Sequence, residues 1–147
     1  LKNYKKVTEK IISERIKKSI DTTGDLKKIL APLVKVKDEN KFLAQVFQSI
    51  RIEVNDELEV IRTLLNDSSK YIKKGGRLVC ISYHSLEDRI VKKFIQNGGF
   101  NDEVVSDLYG NKNVIFKKVG KMITPSSEEI KLNNRSRSAK LRIAEKI

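Results

Sequence analysis

Residues 75–92 constrain the fold more than any other stretch. Gly75-Gly76 is followed by a run in which Leu78, Val79, Cys80 and Ile81 are continuously apolar. After Tyr83-His84 the pattern changes to helical spacing, with Ile90, Val91, Phe94 and Ile95 marking one side and Asn97-Gly98-Gly99 ending it. An unbroken apolar run predicts a strand over 77–83 buried on both faces, as in a parallel sheet. A strand that feeds straight into an amphipathic helix excludes an all-helical bundle. Ser85 is placed to cap that helix, and Asp88 to reach back to the cap from the third position.

The flanking sequence completes an α/β pattern. Tyr4, Val7, Ile11 and Ile12 predict a helix over 3–19, and Thr22 with Asp25 forms a capping-box signal for a short helix ending near Pro32. Residues 34–40 read as a polar link. Leu43, Phe47, Ile50, Val54, Leu58, Ile61 and Leu65 step at helical period and predict one long helix over 41–73, with low propensity at 66–69 as its weak point. Residues 98–113 read as a loop, 113–123 as a second strand, Ser126 with Glu129 as a further cap signal, and 139–147 as a third strand.

A chain of 147 residues fits one domain with a modest core. It has no apolar run long enough to span a bilayer, and its first residues carry no secretory pattern, so no membrane partner is expected. Cys80 is the only cysteine, which excludes an internal disulfide and predicts a cytoplasmic setting. Leu1 rather than Met stands first, so a processed product or a piece of a longer protein is expected. The net charge of +12, concentrated toward both ends, favours a polyanionic partner such as nucleic acid, although a lysine-rich solvated surface has the same composition.

Three segments resemble the RsmH/MraW family of S-adenosylmethionine-dependent 16S ribosomal RNA (cytosine-N4)-methyltransferases. Phe47-Gln48-Ser49-Ile50-Arg51-Ile52-Glu53-Val54-Asn55-Asp56-Glu57-Leu58 is similar to the family's Phe-Gln-Ala-x-Arg-Ile-x-Val-Asn-x-Glu-Leu. Residues 75–92, which read Gly-Gly-Arg-Leu-Val-Cys-Ile-Ser-Tyr-His-Ser-Leu-Glu-Asp-Arg-Ile-Val-Lys, follow the family pattern with Tyr83 in place of the usual Phe. Residues 134–145 resemble its closing segment. Lys41-Phe42-Leu43-Ala44-Gln45 stands where the family often has His-Pro-Ala-Thr-Arg, so no role of that His or Arg carries over.

The resemblance implies the C-terminal half of the enzyme. On that footing 1–40 is part of an inserted helical domain, and 41–147 is the C-terminal part of a class I, Rossmann-like methyltransferase domain holding the last three strands of a mixed sheet. The last strand is expected between the other two and antiparallel to the first. The implied reaction transfers a methyl group from S-adenosylmethionine to N4 of a cytidine, and the implied partners are ribosomal RNA and the small ribosomal subunit. The family's glycine-rich cofactor loop has no counterpart here, because Gly75-Gly76 and Gly98-Gly99 both follow helices rather than a strand. The fragment alone is therefore expected to be inactive. Strand 77–83 is expected to lack a neighbour on its other side, where the absent half would pair, leaving an edge through which a homodimer could form. A stand-alone basic nucleic-acid-binding module and a helical interaction domain without catalysis are the alternatives.

Each site residue has two readings. His84 and Ser85, with Asp88, lie where an open α/β sheet binds ligands, so they either line the substrate or cofactor pocket or merely cap the helix and pack the strand end. Gln48, Arg51 and Asn55 share one helix face and either line that pocket or tie the helix to neighbouring loops. Arg135, Arg137 and Lys140 either contact RNA phosphates, for which guanidinium forks are suited, or pair with acids such as Glu87 and Asp88. Tyr83 and Phe100 are the rings available to stack on a splayed base. No metal-ligand spacing stands out.

Overall fold

Residues 3–100 and 114–147 are described by the computed structural model, and most of the loop expected over 98–113 lies outside them. The chain forms two units, Leu1–Asn55 and Asp56–Ile147. The first holds three helices: α1 (Tyr4–Lys17), α2 (Thr23–Leu30) and α3 (Glu39–Val54). Thr22 accepts from the Asp25 amide at 3.1 Å while the Asp25 carboxylate takes the Thr22 amide at 3.1 Å, the reciprocal cap expected there. Pro32 sits in a 3-10 turn, Ala31–Leu33, that closes α2, and the expected polar link holds a second such turn, Val36–Asp38, that runs into α3. Val7, Leu26, Leu30, Leu43 and Val46 form the core of this unit.

The long helix expected over 41–73 is two helices, α3 and α4 (Glu57–Tyr71). Asn55 closes α3, and Asp56 adopts a left-handed conformation with φ 49° and ψ 38°. Asn and Asp tolerate that region better than other side chains, because their short polar groups bond locally. The expected weak point at 66–69 stays helical, with the Ser68 and Ser69 hydroxyls donating to the carbonyls of Leu65 and Asn66. The apolar stripe breaks as well. Leu65 is buried, but Ile50 is 41% and Val54 77% exposed, since the stripe no longer continues onto one helix.

The second unit contains α4, β1 (Arg77–Ser82), α5 (Ser85–Asn97), β2 (Phe116–Lys118), α6 (Ser127–Leu132) and β3 (Lys140–Lys146). The strand order is β1-β3-β2, and both pairings are antiparallel, which places the last strand in the middle as expected. β2 is shorter than its apolar pattern suggests, and an isolated bridge between Ile123 and Leu141 continues its alignment. Gly98, at φ 71°, ends α5 with its amide on the Phe94 carbonyl. The core consists of Leu65, Ile90, Val91, Phe94, Ile95, Phe116 and Ala144.

Burial on both faces of β1 is not what the structure shows. Leu78 and Cys80 pack against this core, but Val79 is 57% and Ile81 60% exposed. Directly opposed residues of an antiparallel pair share a face. Val79 opposes Ile143, and Ile81 opposes Leu141, so these four lie on the side away from the core residue Ala144. The apolar run reads as doubly buried, yet the described residues supply a layer on only one side.

Candidate functional site

Tyr83 and His84 make the turn between the carboxyl end of β1 and the first turn of α5. The cap expected of Ser85 and Asp88 is formed one residue earlier, by His84 and Glu87. His84 has extended backbone, φ −137° and ψ 162°, whereas Ser85 is already helical. Only the extended residue can fold its side chain back onto the third amide of the helix. His84 Nδ1 accepts from the Glu87 amide at 3.4 Å. Glu87 Oε2 in return takes the amides of Tyr83 at 2.8 Å and His84 at 3.2 Å.

This cap orients the imidazole. With Nδ1 accepting, a neutral ring carries its proton on Nε2. Nε2 is buried and lies 2.9 Å from Glu87 Oε1, but at an angle that makes no directed hydrogen bond. Glu57, from the first turn of α4, completes a group whose ligand atoms all lie within 4.8 Å of one another. One His and two Glu suit a divalent cation in donor type. Such an ion would draw on His84 Nε2, Glu57 and Glu87 Oε1, since Glu87 Oε2 is held by the cap. No sequence spacing signals this group, because Glu57 and His84 come from different elements.

Asp88 faces the sheet. Its carboxylate takes a two-pronged bond from Arg142, Nε at 2.7 Å and a terminal nitrogen at 3.1 Å, and a third from Lys140 Nζ at 3.2 Å. The Arg142 guanidinium holds the Asp88 carboxyl below the usual carboxylate range against its burial, with Lys140 adding to the effect. Lys140 and Arg142 alternate along β3 and so share its face toward α5. This triad fixes the amino end of α5 to the middle strand.

The other expected residues are distributed as follows. Ser85 is exposed at the start of α5. Gln48, Arg51 and Asn55 lie on the last turns of α3, where Gln48 is half-buried and Asn55 is the closing residue, in the other unit from His84. Arg135 and Arg137 are exposed on a 3-10 turn, Asn134–Ser138, and among the described residues neither pairs with a carboxylate. The acids expected to hold them are engaged elsewhere, Asp88 by Lys140 and Arg142. Phe100 stacks on Phe94 with ring centroids 5.3 Å apart and is a packing residue, whereas Tyr83 is 58% exposed.

The described residues do not by themselves fit S-adenosylmethionine. Among the described residues the glycines of positive φ are Gly75, Gly98 and Gly120; the first two follow helices, and Gly120, after β2, is separated from α6 by the Ile123 bridge and so forms no tight strand-to-helix turn. The one tight strand-to-helix turn, Tyr83-His84, presents side chains, and its amides are occupied by Glu87. A cofactor loop needs free amides and close backbone approach at that position.

Comparison with known proteins bears on the same residues. The profile of the MraW methylase family matches residues 1–147. The chain is 52% identical over 147 residues to a protein of Flavobacterium johnsoniae named ribosomal RNA small subunit methyltransferase H, covering 100% of this chain and 49% of that protein. It is also 52% identical to the protein of that name from Christiangramia forsetii, again covering 100% and 49%, and 46% identical over 148 residues to that of Parabacteroides distasonis, covering 100% and 48%. The chain thus spans about half the length of the curated relatives it matches.

Proposed function

Because the chain belongs to the MraW methylase family, we propose that it is the C-terminal half of a class I, Rossmann-like methyltransferase that transfers a methyl group from S-adenosylmethionine to N4 of a cytidine in 16S ribosomal RNA. The observation that carries the reading is the coincidence of motif and place. Residues 75–92, the most distinctive part of the resemblance, form β1, its carboxyl end and α5, where His84, Glu57 and Glu87 converge. The assignment of 1–40 to an inserted helical segment and 41–147 to the methyltransferase domain belongs to the same proposal, as does a cytoplasmic setting on the small subunit.

The half of the protein that precedes this chain supplies the cofactor's cradle in this reading, and the present half closes the pocket. His84 then borders the substrate, and the Glu87 cap keeps Nε2 turned inward. Methylation of an exocyclic amine needs positioning and hydrogen-bond acceptors more than covalent help. Carboxylates beside His84 are acceptors of that kind. β1 is an edge strand of the sheet. We place a strand of the preceding half on that edge, and self-pairing into a homodimer is what the isolated chain would do instead.

The test uses the full-length protein, S-adenosylmethionine carrying a labelled methyl group, and small subunits from cells lacking the gene. Digestion to nucleosides and mass spectrometry should find label in N4-methylcytidine. Label in another nucleoside, or none, refutes the proposal. The 147-residue chain alone should give no calorimetric signal with S-adenosylmethionine, and stoichiometric heat would show that the cofactor site lies in this half.

A further inference from the structure

We propose that the trough between α5 and the edge of the sheet at β2 grips the phosphate backbone of single-stranded RNA beside the target nucleotide. The inference rests on the RNA-modifying reading above and adds a surface that the resemblance does not assign. Two adjoining clefts, sharing Ile95, Gln96 and Lys118, form a continuous depression along this side of the second unit. The more enclosed one is narrow and is lined by Lys92, Lys118, Lys121 and Arg142 around an aliphatic floor.

Convergence on one depression, and not charge pairing alone, sets these lysines apart from others on the surface. Lys10, Lys17, Lys27, Lys70 and Lys140 each meet a carboxylate. Among the described residues Lys92, Lys118 and Lys121 meet none, and no acid lines either cleft. Arg142 is held in place by Asp88, so the wall carrying it is rigid. Lysines on an edge strand commonly serve to discourage strand pairing, which accounts for Lys118. That role does not account for Lys92, which projects from α5 into the same depression.

The lining also indicates what is gripped. Among the described residues around the more enclosed cleft there is no aromatic ring on which a base could stack, and Gln96 is the one amide side chain able to read a base edge. Lysine is a point-charge phosphate binder, and single strands are held by such cationic grooves along the backbone. Register gives the direction. Lys118 opposes Ala144, which opposes Leu78, whereas Ile123 opposes Leu141, which opposes Ile81. The trough therefore climbs roughly 10 Å along the strands toward the carboxyl end of β1, where His84 sits.

The experiment compares the full-length protein with its K92Q, K118Q and K121Q variants and the triple variant. Binding of a single-stranded RNA carrying the target segment is followed by fluorescence anisotropy across a salt series, and methylation of small subunits by label incorporation. Each lost phosphate contact lowers the log–log salt slope by about 0.7, so the triple variant should lose about 2 in slope and on the order of tenfold or more in affinity. The effect should appear in KM rather than kcat, with S-adenosylmethionine affinity unchanged and thermal melting confirming the fold. Unchanged RNA affinity and slope in the triple variant overturn the proposal, as does wild-type binding to anionic lipid vesicles but not to RNA. RNA binding that depends on the three lysines, in a protein that methylates no RNA, would uphold the trough and refute the methyltransferase reading.

Discussion

Replacing Asp88 by Asn tests whether the triad with Arg142 and Lys140 holds α5 to the sheet. The side chains of Asp88 and Arg142 are 10% and 14% exposed, and that of Lys140 is 35% exposed. Removing one partner of a buried pair costs about 3–5 kcal/mol, because the other charge is left unpaired. Lys140 can turn to water, so its share is small. The loss should therefore sit near the lower end, about 3 kcal/mol. With a urea dependence on the order of 1–2 kcal/mol per molar, the unfolding midpoint of the chain, followed by circular dichroism, should fall by about 2 M. A D88N/R142Q double-mutant cycle should return a coupling of about 2 kcal/mol, and the D88L/R142L pair should recover much of the loss. The pH dependence has a defined sign. Asp88 has its carboxyl lowered in the fold from an ordinary value near 3.8, so its stabilisation is fully present above that pH and is lost as pH falls below it through the folded value. D88N should remove this acid-sensitive part and leave the profile between pH 5 and 8 parallel to wild type. A loss below about 1 kcal/mol, or an unaltered acid limb, would show that the triad is a surface contact and that the helix is held by apolar packing alone.

Further outcomes follow from other features. V79D and I81D should change the stability of the chain by less than about 1 kcal/mol, because both sites are more than half exposed, yet block its association with the preceding half in a pull-down. H84A should cost about 1 kcal/mol as a lost cap and, in the full-length protein, reduce methyl incorporation by more than that destabilisation explains. H84N, which can still cap, should restore melting but not activity. D56V should lower the melting temperature, because a β-branched side chain held at φ 49° costs about 1–2 kcal/mol. G98A, at φ 71°, should cost about 1 kcal/mol.

Much of the local structure is legible in the chain itself. Period, caps and glycines act over a few residues, so the Thr22–Asp25 box, the stop at Gly98 and the strand after Gly76 can all be read before any packing is known. The cap of α5 is legible only to within a residue, since Ser85 and His84 both have acceptors and the backbone conformation decides between them. The break between α3 and α4 has a faint signal in Asn55-Asp56, but propensity pointed to 66–69, where packing of Leu65 keeps the helix intact.

The sequence by itself determined most of the elements, though not the break at Asn55-Asp56 or the short extent of β2, and membership of a family through motifs that chance does not assemble. Tertiary structure decided which face of β1 is covered and which cations take Asp88. Alternation along a strand tells which residues share a face, but a face is buried only if another layer lies on it, and that layer comes from distant chain. Asp88 likewise meets Lys140 and Arg142 across 52 and 54 residues, a choice made by the register of β3 and invisible to local pattern. The Glu57–His84–Glu87 group and the lysine trough belong to the same class: each joins side chains from separate elements, so only the fold brings them within reach.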